Sequence, residues 1–509
     1  MKFRVMAGLF ILGLSMGILW PYHASSGEGG IRPPAVAGKF YPDDPEKLGR
    51  AIDLYLMDAK PATGLKPIAL VAPHAGFTFS GQIAADAYKQ AQNHDYDLVV
   101  ILGTNHTAPG FNGVSLFAGE GYRTPLGVAA VEQALTQSLI LMDDDFTSKP
   151  EIHANEHSIE VQIPFIQRIF PGRPIIAAIV GRPDPDLCRR FGAALASVIR
   201  DRNALIIAST DLSHYPSYDD AIAVDHATLK SMISLDPAAV RISILEQKQK
   251  NYPNLSTCAC GEGPILASIF AAVELGATGA TIISYANSGD TSLGDPSRVV
   301  GYGAASIHKG VSNASALDDP PPLELNPALS AEDKKWLLAF ARDTVHRYLT
   351  TGTTPLARPE NPMLHRRRGA FVTLKTQHQL RGCIGHMAED SPLCQVIGAM
   401  ALQAAFNDRR FDPVRADELS GIEFEVSVLT PFQPINGPES IVIGRDGVVI
   451  RKDQHSAVFL PQVALEQGWN RDEMLTQLCR KAGLYGECWK ENAELFTFQA
   501  DVFHEQDYR

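Results

Sequence analysis

Three short apolar runs, each leading into a turn with polar residues, constrain the fold of this chain more than any other feature. The runs are 67–72, 98–103 and 204–208, and the turns after them carry His74, His106, Asp211 and His214. Short runs rich in β-branched residues and bounded by turn residues are typical of strands buried on both faces, as in a parallel sheet covered by helices. Ligands of such sheets bind beyond the carboxyl ends of the strands. The sequence therefore predicts that these side chains meet at one edge of a sheet.

The alternation of strand and helix patterns predicts two domains. Residues 31–310 predict an α/β domain with a mixed sheet, with further strands at 113–118, 174–180 and 280–286 and helices at 81–92, 156–169 and 186–200. Residues 311–327, rich in Ser, Asn, Asp and Pro, predict an extended linker. Residues 328–509 predict an α+β domain that opens with an amphipathic helix after Ser330, with strands at 369–375, 422–430 and 447–451 and helices at 393–406 and 471–482.

The first 26 residues are expected to be a secretory signal. Lys2 and Arg4 precede an unbroken apolar run from 5 to 20, which is followed by small and polar residues. A membrane span needs roughly 20 apolar residues, so cleavage near 24–26 is expected. The mature protein would then be exported to the periplasm or another extracytoplasmic location. The alternative is an uncleaved segment that anchors the chain to the inner membrane.

Composition limits the classes of partner. Of the 509 residues, 45% are hydrophobic and 20% are charged, and the formal net charge is −12. The apolar content suits sizeable cores, whereas the negative charge argues against a general nucleic-acid or anionic-membrane binder. Small molecules or proteins are therefore the expected partners. Seven cysteines leave at least one without an intramolecular partner, and export would permit a disulfide such as Cys479–Cys488.

The candidate chemistry rests on the turn residues named above together with Cys260. Imidazole and thiolate are ligands that suit iron, copper or zinc, whereas calcium and magnesium prefer oxygen. A single histidine at a strand end is more often a packed or capping residue, and a free cysteine is more often a small buried hydrophobe. Three histidines at equivalent strand ends favour a shared metal or acid/base site over these explanations. His214 would serve as the acid/base, and Asp211 would fix its tautomer.

Several motifs in this region, taken in order, resemble the Memo family, whose fold is similar to that of class III extradiol ring-cleaving dioxygenases. They are APHAGFTFSG, GTNH, EHSIEVQIPF, STDLSHY, CGEGP and SGDTSLGDPSRVVGYGA, and they cover about residues 31–307. The resemblance implies that His74 and His106 are metal ligands and that Asp211 and His214 are a later polar pair. It also implies that Cys260 is the cysteine of the site and that His157 lies at its rim. In the dioxygenases a carboxylate and two histidines hold iron. The matching position here is Cys260, which argues against ring cleavage and leaves metal binding as the expectation.

A second set of motifs resembles the Ammecr-type domain. The motifs are LRGCIG, ALQAAFNDRRFDPV, EVSVLTP, FLPQVALEQGW and LCRKAGL, and they cover about residues 328–505. The simplest interpretation of the first motif is a tight glycine-rich turn with a buried cysteine. The functional hypothesis is a shared polar cleft, or second site, formed by Arg381, Cys383, Asp408, Arg409 and Arg410.

Both families recur as partners of a radical S-adenosylmethionine (SAM) protein in the AmmeMemoRadiSam system, and this chain resembles a fusion of its A and B components. The sequence has no three-cysteine iron–sulfur motif, so radical chemistry would come from the partner. The leading hypothesis is a metal-dependent, dioxygenase-like redox enzyme that acts on a small molecule or a protein. Fe²⁺ is the expected metal, with copper or zinc as alternatives. The competing hypothesis is a non-catalytic metal-binding or adaptor protein that uses the cleft for ligand or peptide recognition.

Overall fold

The computed structural model describes residues 30–310 and 328–508. The expected signal (1–26) and linker (311–327) lie outside these ranges. The strands of the N-terminal region are β1 (Ile31–Arg32), β2 (Pro67–Ala72), β3 (Leu98–Thr104), β4 (Val114–Leu116), β5 (Gly121–Thr124), β6 (Gly127–Ala130), β7 (Phe146–Thr147), β8 (Ile175–Val180), β9 (Ala204–Ser209), β10 (Gly279–Asn287) and β11 (Gly301–His308). Its helices are α1 (Pro45–Met57), α2 (Phe77–Ala91), α3 (Gln133–Ile140), α4 (Pro150–Ala154), α5 (His157–Glu160), α6 (Ile163–Ile169), α7 (Pro185–Ile199), α8 (Tyr218–Met232), α9 (Pro237–Gln249) and α10 (Glu262–Glu274).

An eight-stranded mixed sheet organises this region, in the order β10-β11-β2-β9-β3-β8-β4-β7. The four central strands, β2, β9, β3 and β8, are parallel, whereas β11 and β4 pair with them antiparallel. One apolar core lies between the sheet and helices α7 to α10, and another lies between its opposite face and helices α1, α2 and α6. The predicted α/β class with a mixed sheet is confirmed. The carboxyl ends of β2, β3 and β9 therefore lie at one edge.

Two predicted helices differ from the structure. The first begins at Phe77 rather than Gly81, because Ser80 N donates to Gly76 O (3.1 Å) and closes a turn before Gly81. Gly81 lies inside the helix, where an added Cβ would lie 2.7 Å from the Tyr55 ring. The second, predicted over 156–169, is two short helices, α5 and α6. Pro164 lies in the first turn of α6, where its missing N–H and its restriction of the preceding residue prevent one continuous helix.

The C-terminal region consists of antiparallel sheets and helices. Its helices are α11 (Ala331–Thr351), α12 (Leu393–Phe406), α13 (Pro461–Glu466) and α14 (Arg471–Lys481), and its strands are β12 (Ala370–Thr376), β13 (Gln379–His386), β14 (Ile422–Leu429), β15 (Gln433–Ile435), β16 (Gly447–Lys452), β17 (His455–Phe459), β18 (Glu494–Phe498) and β19 (Ala500–His504). Two four-stranded sheets have the orders β13-β12-β14-β19 and β15-β18-β16-β17. A disulfide joins Cys479 to Cys488. No helix in the described ranges is both long and apolar enough to cross a bilayer.

The two regions are joined by a buried ion pair. Asp86, on α2, has a fully buried side chain, and it accepts hydrogen bonds from Lys60 N (2.9 Å) and Ser284 Oγ (2.5 Å). Arg358, in the loop after α11, provides its counter-charge, with Nη1 3.1 Å from Oδ1 and Nη2 bonded to Oδ2. A buried carboxylate without a cation is strongly unfavourable. The N-terminal region therefore depends on the C-terminal region for the charge balance of α2.

We expect Arg358→Gln to lower the free energy of unfolding by about 3–5 kcal/mol, because it leaves the buried Asp86 carboxylate without a cation. Urea denaturation of the full chain measures this. Arg367→Gln is the matched control, since it breaks an ion pair with the exposed Asp219 and should change stability by about 1 kcal/mol or less. Adding Asp86→Asn to Arg358→Gln should restore much of the loss. Equal effects of the two arginine variants would contradict this assignment.

Candidate metal centre

The turns at the edge of the sheet bring the predicted polar residues into one cluster. His74 follows β2, His106 follows β3, Asp211 follows β9, and Cys260 lies in the turn before α10. Two groups of side chains have ligand atoms within 4.8 Å of one another: His74, His106 and His157, and His74, Asp211 and Cys260. His74 belongs to both groups and is the centre of the arrangement.

Hydrogen bonds fix the tautomer of His74, whose side chain is 1% exposed. The hydroxyl of Ser209 donates its single proton to Ser158 O (2.6 Å), so the contact of 2.9 Å between Ser209 Oγ and His74 Nδ1 requires Nδ1 to donate. Nε2 therefore carries the lone pair, and it lies 3.2 Å from Cys260 Sγ and 4.0 Å from Asp211 Oδ2. Burial, reinforced by the neighbouring histidines, holds the pKa of His74 well below its usual value. The ring is neutral and ready to act as a ligand.

A buried carboxylate orients His106 in the same way. Glu156, whose side chain is fully buried, accepts from the His106 backbone N–H (2.6 Å), from its Nδ1 (2.9 Å) and from Ser158 N (2.9 Å). Burial opposes ionisation of Glu156, but the hydrogen bond and charge of His106 and the charge of His157 lower its pKa to about 2. Burial would lower the pKa of His106, but Glu156 outweighs it and raises that pKa. Nδ1 is thus the protonated nitrogen, which leaves Nε2 free.

His157, expected at the rim, lies within the cluster. Its ring stacks on that of His106 with centroids 4.6 Å apart, and it meets the His74 ring edge-on at 5.4 Å. Its Nδ1 is 3.5 Å from Glu156 Oε1, and the Phe40 ring covers it at 4.9 Å. Burial lowers the pKa of His157, and Glu156 opposes that effect. The ring nitrogens of His74, His106 and His157 therefore lie close enough together to share one ligand.

Asp211 is bound to the β2 turn rather than to His214. Its Oδ1 accepts from the backbone N–H of His74 (2.8 Å) and of Ala75 (3.3 Å), and its own N–H donates to Cys260 Sγ (3.3 Å). In the described ranges no hydrogen bond joins Asp211 to the His214 ring. The hydrogen bond by which Asp211 was predicted to fix the tautomer of His214 is therefore not present among these residues. Burial raises the pKa of both Asp211 and Cys260. His214 Nε2 is buried and has no partner among the described residues, and burial lowers the pKa of its ring.

Sequence reasoning missed the residues that orient the histidines. These residues are Glu156, Ser209 and Gln162, and a carboxylate before a helix, such as Glu156, is ordinarily explained as a partner of the helix dipole. Gln162 Nε2 donates to Ser209 Oγ (2.9 Å) and to Pro73 O (2.9 Å), which ties α6 to the ends of β2 and β9. The sequence feature that could have indicated these residues is the stretch EHSIEVQIPF, in which polar residues such as Glu156 and Gln162 alternate with apolar ones.

A further buried carboxylate supports the turn that carries His214. Asp225, on α8, accepts from Ser213 N (2.8 Å), Ser213 Oγ (3.0 Å) and Tyr285 OH (2.8 Å). Gly301 approaches it so closely that an added Cβ would lie 1.8 Å from Asp225 Oδ2. Burial raises the pKa of Asp225 to about 7, although the three hydrogen bonds oppose this.

The predicted polar cleft of the C-terminal region is assembled only in part. Cys383 N donates to Asp408 Oδ2 (2.9 Å), and Arg410 binds both Asp408 oxygens (2.9 and 2.6 Å) and Cys383 O (3.0 Å). The Arg410 hydrogen bonds hold the pKa of Asp408 below its usual value. Arg381 pairs instead with Glu418 (2.9 Å), and Arg409 is exposed. Cys383 is half-buried rather than fully buried.

Comparison with known protein families agrees with this architecture. Residues 32–306, more than half of the chain, match the family model described as Memo-like protein. The chain belongs to the Memo family. Residues 338–503 match the AMMECR1 family model, so a Memo domain and an AMMECR1 domain are joined in one chain.

Curated relatives align with the Memo domain. The MEMO1 family protein MK0963 of Methanopyrus kandleri is 39% identical over 295 residues, which is 55% of this chain and 99% of that protein. A MEMO1 family protein of Aquifex aeolicus is 35% identical over 277 residues, or 53% of this chain and 97% of that protein. Among solved structures, the uncharacterized protein PH0010 from Pyrococcus horikoshii is 37% identical, covering 34% of this chain and 91% of its own, with a TM-score of 0.32.

The raised pKa of Asp225 makes a testable contribution to pH-dependent stability. An acid whose pKa is higher in the folded than in the unfolded state adds stability below the unfolded value and loses it as pH rises through the folded value. We therefore expect the free energy of unfolding to fall by about 4 kcal/mol, from this group alone, between about pH 4 and pH 7. Asp225→Asn should remove this slope in urea-denaturation series. Parallel pH profiles of the two proteins would contradict a raised pKa.

Proposed function

We propose that the Memo domain is a metal-dependent redox enzyme whose metal is held by His74, His106 and Cys260. The observation that carries this proposal is the orientation of two imidazoles: Ser209 and Glu156 occupy their Nδ1 atoms, and both Nε2 atoms remain for a ligand. Metal-binding histidines in proteins are held in this way by a partner on the other ring nitrogen. Among the described residues His106 and Cys260 belong to different groups, which share His74. His157 in the first group and Asp211 in the second are available as further ligands.

The donor set fits a transition metal. Two imidazoles and a thiol suit iron, copper or zinc, and would be poor ligands for calcium or magnesium. We propose iron first, with copper or zinc as alternatives. When bound, iron or copper would supply one-electron chemistry to a substrate in the cleft.

The protein's own residues would supply the proton transfers. His214 is the proposed acid/base, because burial lowers its pKa and keeps the ring neutral, and because its Nε2 has no hydrogen-bond partner in the described ranges. The Phe40 ring covers one side of His157, whereas the His106 side chain remains 28% exposed, so a substrate could approach from the side of His106. The substrate would be a small organic molecule or a partner protein, and the radical chemistry would come from a radical SAM protein. The fusion of the Memo and AMMECR1 domains in one chain supports a shared task for the two domains.

One observation favours a non-catalytic protein as the second candidate. The Cys260 thiol already accepts from Asp211 N and lies at hydrogen-bond distance from His74 Nε2, and burial favours its neutral form. Because the thiol already has hydrogen-bond partners, the cluster would be stable without a redox role for Cys260. In that case the cleft would serve ligand or peptide recognition by a metal-binding or adaptor protein.

Metal analysis of protein purified anaerobically distinguishes ligands from the acid/base. We expect His74→Ala, His106→Ala and Cys260→Ala to lower metal occupancy strongly, because each removes a donor atom. Glu156→Gln should weaken metal affinity by about 10- to 100-fold, since it releases His106. His214→Ala should keep the metal while lowering any proton-transfer rate by about 10²- to 10⁴-fold. Full occupancy in all three alanine variants at ligand positions would refute the site, and loss of metal in His214→Ala would make that residue a ligand.

We also propose that the protein is exported. The basic and apolar pattern of residues 1–26 supports a cleaved signal, and the disulfide between Cys479 and Cys488 suits an oxidising compartment. We expect fractionation to find the protein outside the cytoplasm, with a mature N-terminus near residues 24–26 by mass spectrometry. An intact chain beginning at Met1 in the membrane fraction would support an uncleaved anchor. The same chain in the soluble cytoplasm would contradict export.

A further inference from the structure

An arginine and a tyrosine form a stacked pair beside the candidate metal centre. The guanidinium carbon of Arg298 lies 4.0 Å from the centroid of the Tyr215 ring. Tyr215 follows His214 directly, and the two rings are 5.5 Å apart. Two backbone hydrogen bonds fix the pair, from Tyr215 N to Val299 O (2.6 Å) and from Val299 N to Pro216 O (2.9 Å). The backbone segments that carry the two side chains are therefore held next to each other.

The backbone at Tyr215 is strained in order to present this ring. Its φ is +76°, a left-handed conformation that costs a residue with a side chain about 1–3 kcal/mol. Bridges from His214 to Thr257 and Val300 hold the strained turn in place. The Tyr215 side chain is nevertheless 39% exposed, so core packing does not explain the strain. Strain of this kind is concentrated at ligand sites.

The guanidinium is free to bind an anion. Arg298 is exposed, and in the described ranges its side chain has neither a carboxylate within ion-pair distance nor a carbonyl acceptor. A guanidinium over an aromatic ring keeps its in-plane N–H groups available, and their fork matches the two oxygens of a carboxylate. The ring of His214, next to that of Tyr215, also has an Nε2 without a partner among the described residues. A small ligand bound by Arg298 would therefore lie beside Tyr215, whose ring is next to the proposed acid/base His214.

We propose that Arg298 and Tyr215 form the carboxylate-binding subsite of this domain, and that its substrate is a small organic carboxylate. A single guanidinium matches the single charge of a carboxylate. The binding claim stands by itself, whereas conversion of the bound carboxylate rests on the redox function proposed above.

Calorimetric titration of the full-length protein with benzoate tests the subsite, with benzamide as the uncharged match. We expect benzoate to bind and benzamide to bind much more weakly. Arg298→Gln should weaken benzoate binding by at least about tenfold, since a hydrogen-bonded charge pair is lost, and Arg298→Lys should recover only part of it. Tyr215→Gly removes the ring and relieves the backbone strain at this position. It should therefore weaken benzoate binding without unfolding the chain. Arg173→Gln, at an exposed pair with Asp95, should leave binding unchanged.

Several results would overturn the proposal: no benzoate binding by the wild-type chain, equal binding by Arg298→Gln, or equal binding of benzamide. Inorganic phosphate that binds more tightly than benzoate would overturn the carboxylate class. Metal content measured on the same samples separates the two proposals. Arg298→Gln should retain the metal content of the wild-type chain, and benzoate should bind metal-free protein, so a failure of metal loading leaves the test of the subsite intact.

Discussion

The arrangement of the site depends on one buried carboxylate, Glu156. It caps α5 through Ser158 N and binds both the backbone and the ring of His106. The helix it begins is fixed to the sheet by Ser158 Oγ, which donates to Thr104 O at the end of β3 (2.8 Å). Gly103 permits this approach, because an added Cβ there would lie 2.6 Å from Ser158 Oγ. A single ionised side chain therefore sets the positions of His106 and His157 and, through Ser158, the hydrogen bond that selects the tautomer of His74.

The sequence was informative about the residues at the strand ends and less so about those that orient them. Parallel strands must bring their carboxyl ends to one edge, so His74, His106 and Asp211 could be grouped from local patterns alone. Glu156 could not be assigned in this way, because a carboxylate before a helix looks the same whether it caps the helix or holds a histidine. Pro164 could have marked the break between α5 and α6. The Asp86–Arg358 pair spans 272 residues, and no local pattern connects its partners.

A cysteine rather than a carboxylate at position 260 sets the electrostatics of the cluster. A buried carboxylate there would join Asp211 and Glu156 and would need compensation by a cation or a proton. The Cys260 thiol is neutral when buried, so the cluster is stable before a ligand arrives, with His74 Nε2 accepting from the thiol. A metal at the proposed site would have to displace the thiol proton. The pairing of the thiol with His74 therefore stabilises the cluster in the absence of a metal.

The AMMECR1 domain contacts the same two segments that carry the site's outer residues. In the loop between β10 and β11, Asp290 accepts from Tyr218 OH (2.5 Å) and from Gln395 Nε2 of α12 (2.9 Å), and the far end of this loop carries Arg298. The segment after His214 leads into α8, where Asp219 pairs with Arg367 (2.9 Å). Each segment thus has one end at the interface between the domains and the other beside His214. The AMMECR1 domain therefore contacts both of the segments that lead to the candidate metal centre.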